Sequence, residues 1–213
     1  FRHLISLVIM IVEKIKFTYN LDLISGKVLG LAIRKIDEES YGPKYNIKNY
    51  TDLKKNNIVS EIDEDTLNKI NAINNYFNIL NINFNAPVIV TEGQIDSMFL
   101  DNSIATTGVS KSKTILGAVI SKKNARILFD NDKAGKQESL KFINQGYRVF
   151  MWSKLISELK IKYPNNIKDI NNIKDVNDLY SFYKMMDYDI RFLEFNEMIY
   201  NNFTESMYDL LHI

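Results

Sequence analysis

At 213 residues the chain makes one domain or at most two small subdomains, and it buries enough surface to fold without a disulfide or metal staple. It has no cysteine, which excludes a disulfide framework, a zinc–thiolate centre, an iron–sulfur cluster and a cysteine nucleophile together. Its 27 basic and 26 acidic residues leave a net charge of +1, so a polyanionic partner must be met by a local basic surface rather than by bulk charge.

In chain order, the most apolar run is Leu4–Val12 (LISLVIMIV). It is about half of the roughly 20 residues a spanning helix requires and reads as a buried strand or short helix. It has no charged leader and no small-residue cleavage site, so no signal peptide is expected. The first residue, Phe1 rather than Met, carries the expectation of a longer parent chain. Gly26–Ile36 (GKVLGLAIRKI) alternates as a strand after a glycine turn, and Lys44–Tyr50 as a second short strand. Glu64–Leu80 carries Leu67, Ile70, Ile73, Phe77 and Leu80 at three- and four-residue steps, the pattern of one helix face.

From Pro87 the pattern changes. Strands at Val88–Thr91, Ser103–Thr107, Arg126–Phe129 and Tyr147–Trp152 alternate with helices at Gln94–Asp101, Lys113–Lys123 and Ala134–Asn144, the last closed by Gly146. Four- to six-residue strands alternating with longer helices predict an α/β fold with a parallel sheet flanked by helices and right-handed crossovers. The tail from Asp178 to Ile213, rich in aromatic and Met residues, reads as two helices. The expected organisation is a small N-terminal α+β subdomain at 1–85, the α/β domain at 86–178 and a C-terminal helical tail at 179–213.

In a parallel sheet the site lies beyond the carboxyl ends of the strands. There the sequence puts Glu92, with Asp96 one helical turn later, after the first strand, and Asp130 and Asp132 after the third. Carboxylates converging on one sheet edge repel unless a cation lies among them. Oxygen-only ligation selects a hard ion, Mg²⁺ or Mn²⁺, over zinc. Such an ion completes its shell with substrate phosphates, so phosphoryl or nucleotidyl transfer is the first chemistry to consider. The alternative for Asp130 and Asp132 is that they are turn formers or a helix N-cap ahead of Lys133–Asn144.

TEGQIDSMFL, followed about forty residues later by FDNDKAGK, resembles the Toprim domain of primases, topoisomerases and some nucleases. Within that superfamily the chain is most similar to the primases of bacteria and tailed phages. GKVLGLAIR resembles their opening strand, PKYN at Pro43–Asn46 their basic motif, and KDVNDL at Lys174–Leu179 their late acidic motif. The resemblance implies a Toprim-like fold and Mg²⁺ or Mn²⁺ as cofactor. Glu92 would be general acid/base or ligand, and Asp130 and Asp132 the principal ligands. Asp96 and Asp175 would be secondary ligands, with Asn177 a neutral, weaker donor where bacterial primases tend to have aspartate. Arg34, Lys44 and Tyr45 would sit beside the nucleotide or template, and Lys133 would neutralise triphosphate charge.

The implied activity is a DNA primase catalytic core, which makes short RNA primers on single-stranded DNA from ribonucleoside triphosphates. With no Cys, only two His and no P-loop, a zinc-binding template-recognition module and the replicative helicase would be separate partners. The expected setting is cytoplasmic, in a bacterial host if phage-encoded, with no membrane. The alternatives are a Toprim nuclease cleaving DNA or RNA with the same carboxylates, or a non-catalytic nucleic-acid-binding module. Between Asp101 and Arg148 nine basic residues face four acidic ones, a segment suited to a nucleic-acid backbone. Tyr41, Tyr45 and Tyr50 interleave with Lys44 and Lys48 and could stack on unpaired bases or pack on a small core.

Overall fold

Alternating strand-forming residues dominate the first fifty positions, and the backbone there forms an antiparallel sheet. The computed structural model describes residues 10–12, 15–21, 28–35, 45–48, 55, 76–106, 120–187 and 189–212, and the chain divides into units Phe1–Leu80 and Asn81–Ile213. Strands β1 (Met10–Val12), β2 (Ile15–Leu21), β3 (Val28–Lys35) and β4 (Tyr45–Lys48) pair in sequence order, each antiparallel to the next. β3 and β4 occupy the two strand segments expected from sequence. β2 is an element beyond those expected, although Ile15, Phe17, Tyr19 and Leu21 alternate with polar residues as a half-buried strand does. Its pairing with β3 breaks register between Asn20 and Leu21.

The helix expected over Glu64–Leu80 does not run to its predicted end. Tyr76–Phe77 is a short strand, β5, followed by a single 3-10 turn at Ile79–Asn81; residues 56–75 lie outside the described residues. The aromatic pair is buried, and it belongs to a sheet edge rather than a helical face.

The larger sheet is α/β and mixed. Its strands β6 (Val88–Thr91), β7 (Ser103–Thr106), β8 (Ala125–Leu128), β9 (Arg148–Phe150) and β10 (Phe203–Thr204) stand, with β5, in the order β10-β9-β8-β6-β7-β5. β6 to β9 are mutually parallel where they pair, as expected. β10 runs antiparallel to β9, so the wholly parallel sheet is corrected to a mixed one. All four residues of β6, β7 and β8 are buried, which is the condition of a parallel sheet covered on both faces and explains runs such as VIVT.

The helices are α1 (Gln94–Met98), α2 (Lys133–Ile143), α3 (Trp152–Lys162), α4 (Ile167–Asn171), α5 (Val176–Met186), α6 (Phe192–Tyr200) and α7 (Met207–His212). α2 ends as expected: Gly146, at φ +83°, closes the turn into β9, and its N–H donates to the Ile143 carbonyl. The helix expected at Lys113–Lys123 lies mostly outside the described residues. Its described end is a turn, in which the N–H of Asn124 donates to the Ser121 carbonyl. The tail differs from two helices: α5 starts two residues before Asp178, α6 and α7 follow, and β10 lies between them. Most of its described aromatic residues belong to or pack on the core, while Phe192 and Tyr208 are exposed. Leu179, Phe182, Phe195 and Ile199 join Ile89, Leu128 and Phe150 in one buried cluster, with Tyr180 edge-on to Phe195 at 5.1 Å. Among the described residues no helix is long and apolar enough to cross a membrane.

Candidate metal centre

Register decides which side chains meet. β6 and β8 are adjacent and parallel, with Thr91 opposite Leu128. Glu92–Gly93 and Phe129–Asp130 therefore leave the sheet side by side at its carboxyl edge. Asp96, in the first turn of α1, is 7% exposed, and its carboxylate lies against Gly93. A Cβ at Gly93 would stand 2.1 Å from Asp96 Oδ2, which gives the Glu-Gly pair its physical reason. A second glycine does similar work on the other strand. A Cβ at Gly135 would stand 2.1 Å from the Asp130 carbonyl oxygen, so only glycine lets the first turn of α2 close over the Asp130–Asp132 loop.

Asp132 is the N-cap of α2, its Oδ1 accepting from the Gly135 N–H at 2.7 Å. Asp175 is the N-cap of α5 and accepts from the Asp178 N–H at 2.8 Å. Asp178 reaches back to accept from the Lys174 N–H at 3.0 Å, a reciprocal arrangement that fixes the turn. Asn177 meets Asp96 through its backbone, donating its N–H to Oδ1 at 3.1 Å.

The carboxylates share one field. Burial pushes the Glu92 carboxyl above its ordinary range; the charges of Asp132, Glu138 and Asp96 push the same way, against a hydrogen bond from the Asp130 backbone. Glu92 Oε1 is buried with no hydrogen-bond partner. Burial also raises Asp96, to about 7, with the charges of Asp175 and Asp130 adding to it and the Asn177 N–H opposing. Thus Glu92, Asp96, Asp130, Asp132 and Asp175, drawn from three separate chain segments, act on one another. Among the described residues no group of three is gathered closely enough to enclose an ion by itself. The donor set still fits a hard divalent cation. It is all oxygen, it holds a buried carboxylate oxygen without a donor, and its mutual repulsion is of the kind a cation relieves. Mg²⁺ ordinarily takes only one or two carboxylates and fills its shell with water and phosphate.

Three residues that the sequence did not single out act on this edge, two as tethers and one through its charge. Trp152 donates its Nε1–H to the Phe129 carbonyl at 2.7 Å, immediately before Asp130. Asn131 bonds the loop to the segment before α5. Glu138, on α2, adds negative charge beside Glu92 and pairs with Lys141. Only the spacing of Glu138, six residues beyond Asp132 on a predicted helix, was visible in sequence.

Of the predicted nucleotide- or template-binding residues, Lys133 is exposed at the start of α2. Arg34 and Tyr45 are register partners on β3 and β4; Lys44, Tyr41 and Tyr50 lie outside the described residues. The basic segment is thinner than its count. Arg126 is buried, its guanidinium donating to the carbonyls of Lys123 and Ala125. Lys141 and Arg148 are paired with Glu138 and Glu205, and Lys122 donates to the Gln145 carbonyl. Lys111 and Lys113 lie outside the described residues. Neither a protein-family model nor a curated protein sequence matches this chain.

Proposed function

We propose that the chain is the catalytic core of a Toprim-type DNA primase, a nucleotidyltransferase that makes short RNA primers on single-stranded DNA. The observation that carries this reading is that Glu92 and Asp130 leave adjacent parallel strands at one carboxyl edge, with Asp96, Asp132 and Asp175 near enough to act on them electrostatically, and that a Cβ at Gly135 would meet the Asp130 backbone. The PKYN and GKVLGLAIR motifs favour polymerisation over hydrolysis. Asp130 and Asp132 would hold a Mg²⁺ or Mn²⁺ ion, with Glu92 as a further ligand or as the general base and Asp96 and Asp175 beside them. A divalent ion bound there supplies charge neutralisation for a triphosphate and a lowered pKa for an attacking hydroxyl.

The chain's own residues do the rest. Glu92, its carboxyl raised by burial, is suited to take a proton from the 3′-hydroxyl of the growing primer. Lys133 stands exposed next to Asp132, where an ammonium would attract the triphosphate. Arg34 and Lys44 would steer phosphate or template backbone, a guanidinium giving paired contacts. Positioning and charge account for most of the rate gain in such transfers. A separate helicase and a zinc-binding module would deliver and read the template, in the cytoplasm of a bacterial host.

The test is primer synthesis on mixed-sequence single-stranded DNA with four ribonucleotides and Mg²⁺ or Mn²⁺, with a labelled strand alongside to report cleavage and a cognate helicase and template-recognition module added. The reading predicts short RNA products from the wild type and none from Asp130→Ala or Glu92→Ala. Metal-dependent cleavage without synthesis, lost in the same variants, would make the protein a Toprim nuclease.

A further inference from the structure

Asn131, the residue between the two aspartates of the loop, had no role in the sequence argument. In the structure it is the joint between two of the three segments that carry carboxylates. Its backbone N–H donates to the Lys174 carbonyl at 2.6 Å, and its side-chain Nδ2 donates to the Ile173 carbonyl at 3.0 Å. Both acceptors are carbonyls, so only the amide N–H end of the side chain satisfies the contact. The segment it grips is itself anchored. Ile173 and Val176 are buried in the core at 2% and 1% exposure, Asp175 and Asp178 lock the turn, and Asn177 holds Asp96 from the far side. The other end of the loop is tied down by Trp152 through the Phe129 carbonyl.

We infer that Asn131 is a positioning residue for the proposed metal site, fixing the Asp130–Asp132 loop against the Ile173–Asn177 segment so that ligands from separate strands keep one spacing. The inference rests on the metal-site reading above. Any residue can supply the backbone bond, but the side-chain bond needs an amide of this length. Aspartate at 131 would set a carboxylate against a carbonyl, and alanine would leave the Ile173 carbonyl without that donor. Groups that orient ligands from outside the coordination sphere are worth about 10- to 100-fold in metal affinity.

The test is a Mn²⁺ titration of the full chain, with free ion read by electron paramagnetic resonance, on wild type, Asn131→Ala and Asp130→Ala, each first checked for folding by circular dichroism. Asn131→Ala is expected to bind Mn²⁺ roughly tenfold more weakly and to recover the wild-type rate of primer synthesis at saturating Mg²⁺, a rescue that a merely unfolded variant would not show. A folded Asn131→Ala with wild-type Mn²⁺ affinity would overturn the inference while leaving the metal site standing. Wild type that binds no Mn²⁺, or Asp130→Ala that binds as wild type does, would remove the metal-site reading and the inference with it. Should the alanine variant not fold, Asn131→Ser withdraws the amide while keeping a polar side chain, and the same two affinity outcomes decide.

Discussion

Asp96 carries the sharpest local conflict among the described side chains. It is a carboxyl that burial, then the charges of Asp175 and Asp130, hold at about 7 against an ordinary value of 3.8. Between those two values the folded protein binds a proton that the unfolded chain does not, so this group favours folding at the acid end and loses that contribution as pH rises towards 7 and beyond. Glu92 is raised in the same direction, by burial first. The metal-free protein should therefore melt at a higher temperature at about pH 5.5 than at about pH 8, and Asp96→Asn should flatten most of that slope. Thermal denaturation across the range checks it; a wild-type slope of opposite sign, or one unchanged in Asp96→Asn, would contradict the burial argument. A divalent cation competes with the same protons, which makes ion binding weaken as pH falls below 7.

At the scale of elements, Asp132 shows why one sequence signal carried two readings. It caps α2 through the Gly135 N–H and also raises Glu92 by its charge, so the helix-cap reading is borne out and leaves the proposed ligand role open. Asparagine caps about as well as aspartate, whereas loss of a cap costs about 1 kcal/mol. Asp132→Asn should keep its stability within about 0.5 kcal/mol and Asp132→Ala should lose about 1 kcal/mol by urea denaturation, while both lose primer synthesis. An active Asp132→Asn variant would reduce this residue to a cap.

The same scale shows what was legible. β6, β8, α2 and Gly146 could be read because their signals are local: a β-branched run, a capping aspartate, a glycine at positive φ. β10 could not, since two residues, Phe203 and Thr204, carry no period and are strand only by pairing with β9. The end of the predicted Glu64–Leu80 helix failed for a related reason, because helical spacing at Phe77 and Leu80 could not reveal that Tyr76 and Phe77 are strand residues. The charges of Arg126 were counted as surface, yet the residue is buried and spent on two carbonyls, a local arrangement no count of basic residues contains.

For the whole molecule, absence of cysteine and near-neutral charge narrowed the chemistry to oxygen ligands and local charge. The spacing of the carboxylates on the sequence anticipated which strand edge they share, and β6 against β8 puts Glu92 and Asp130 there. The ties between segments were not legible: Asn131 to Lys174, Asn177 to Asp96 and Trp152 to Phe129 span 43, 81 and 23 residues, and long-range bonds of this kind leave no periodic trace.

The central claim is that these carboxylates form a divalent-metal site, and the most direct measurement is thermal stability against Mg²⁺ or Mn²⁺ concentration in wild type and Asp130→Ala. An ion at ten times its dissociation constant stabilises by roughly 1.4 kcal/mol, which for a chain of this size is about 3 to 6 °C. The account predicts that rise in the wild type at millimolar ion and a flat response in Asp130→Ala. A wild-type melting temperature unmoved by either ion, or one that rises equally in the variant, would contradict it.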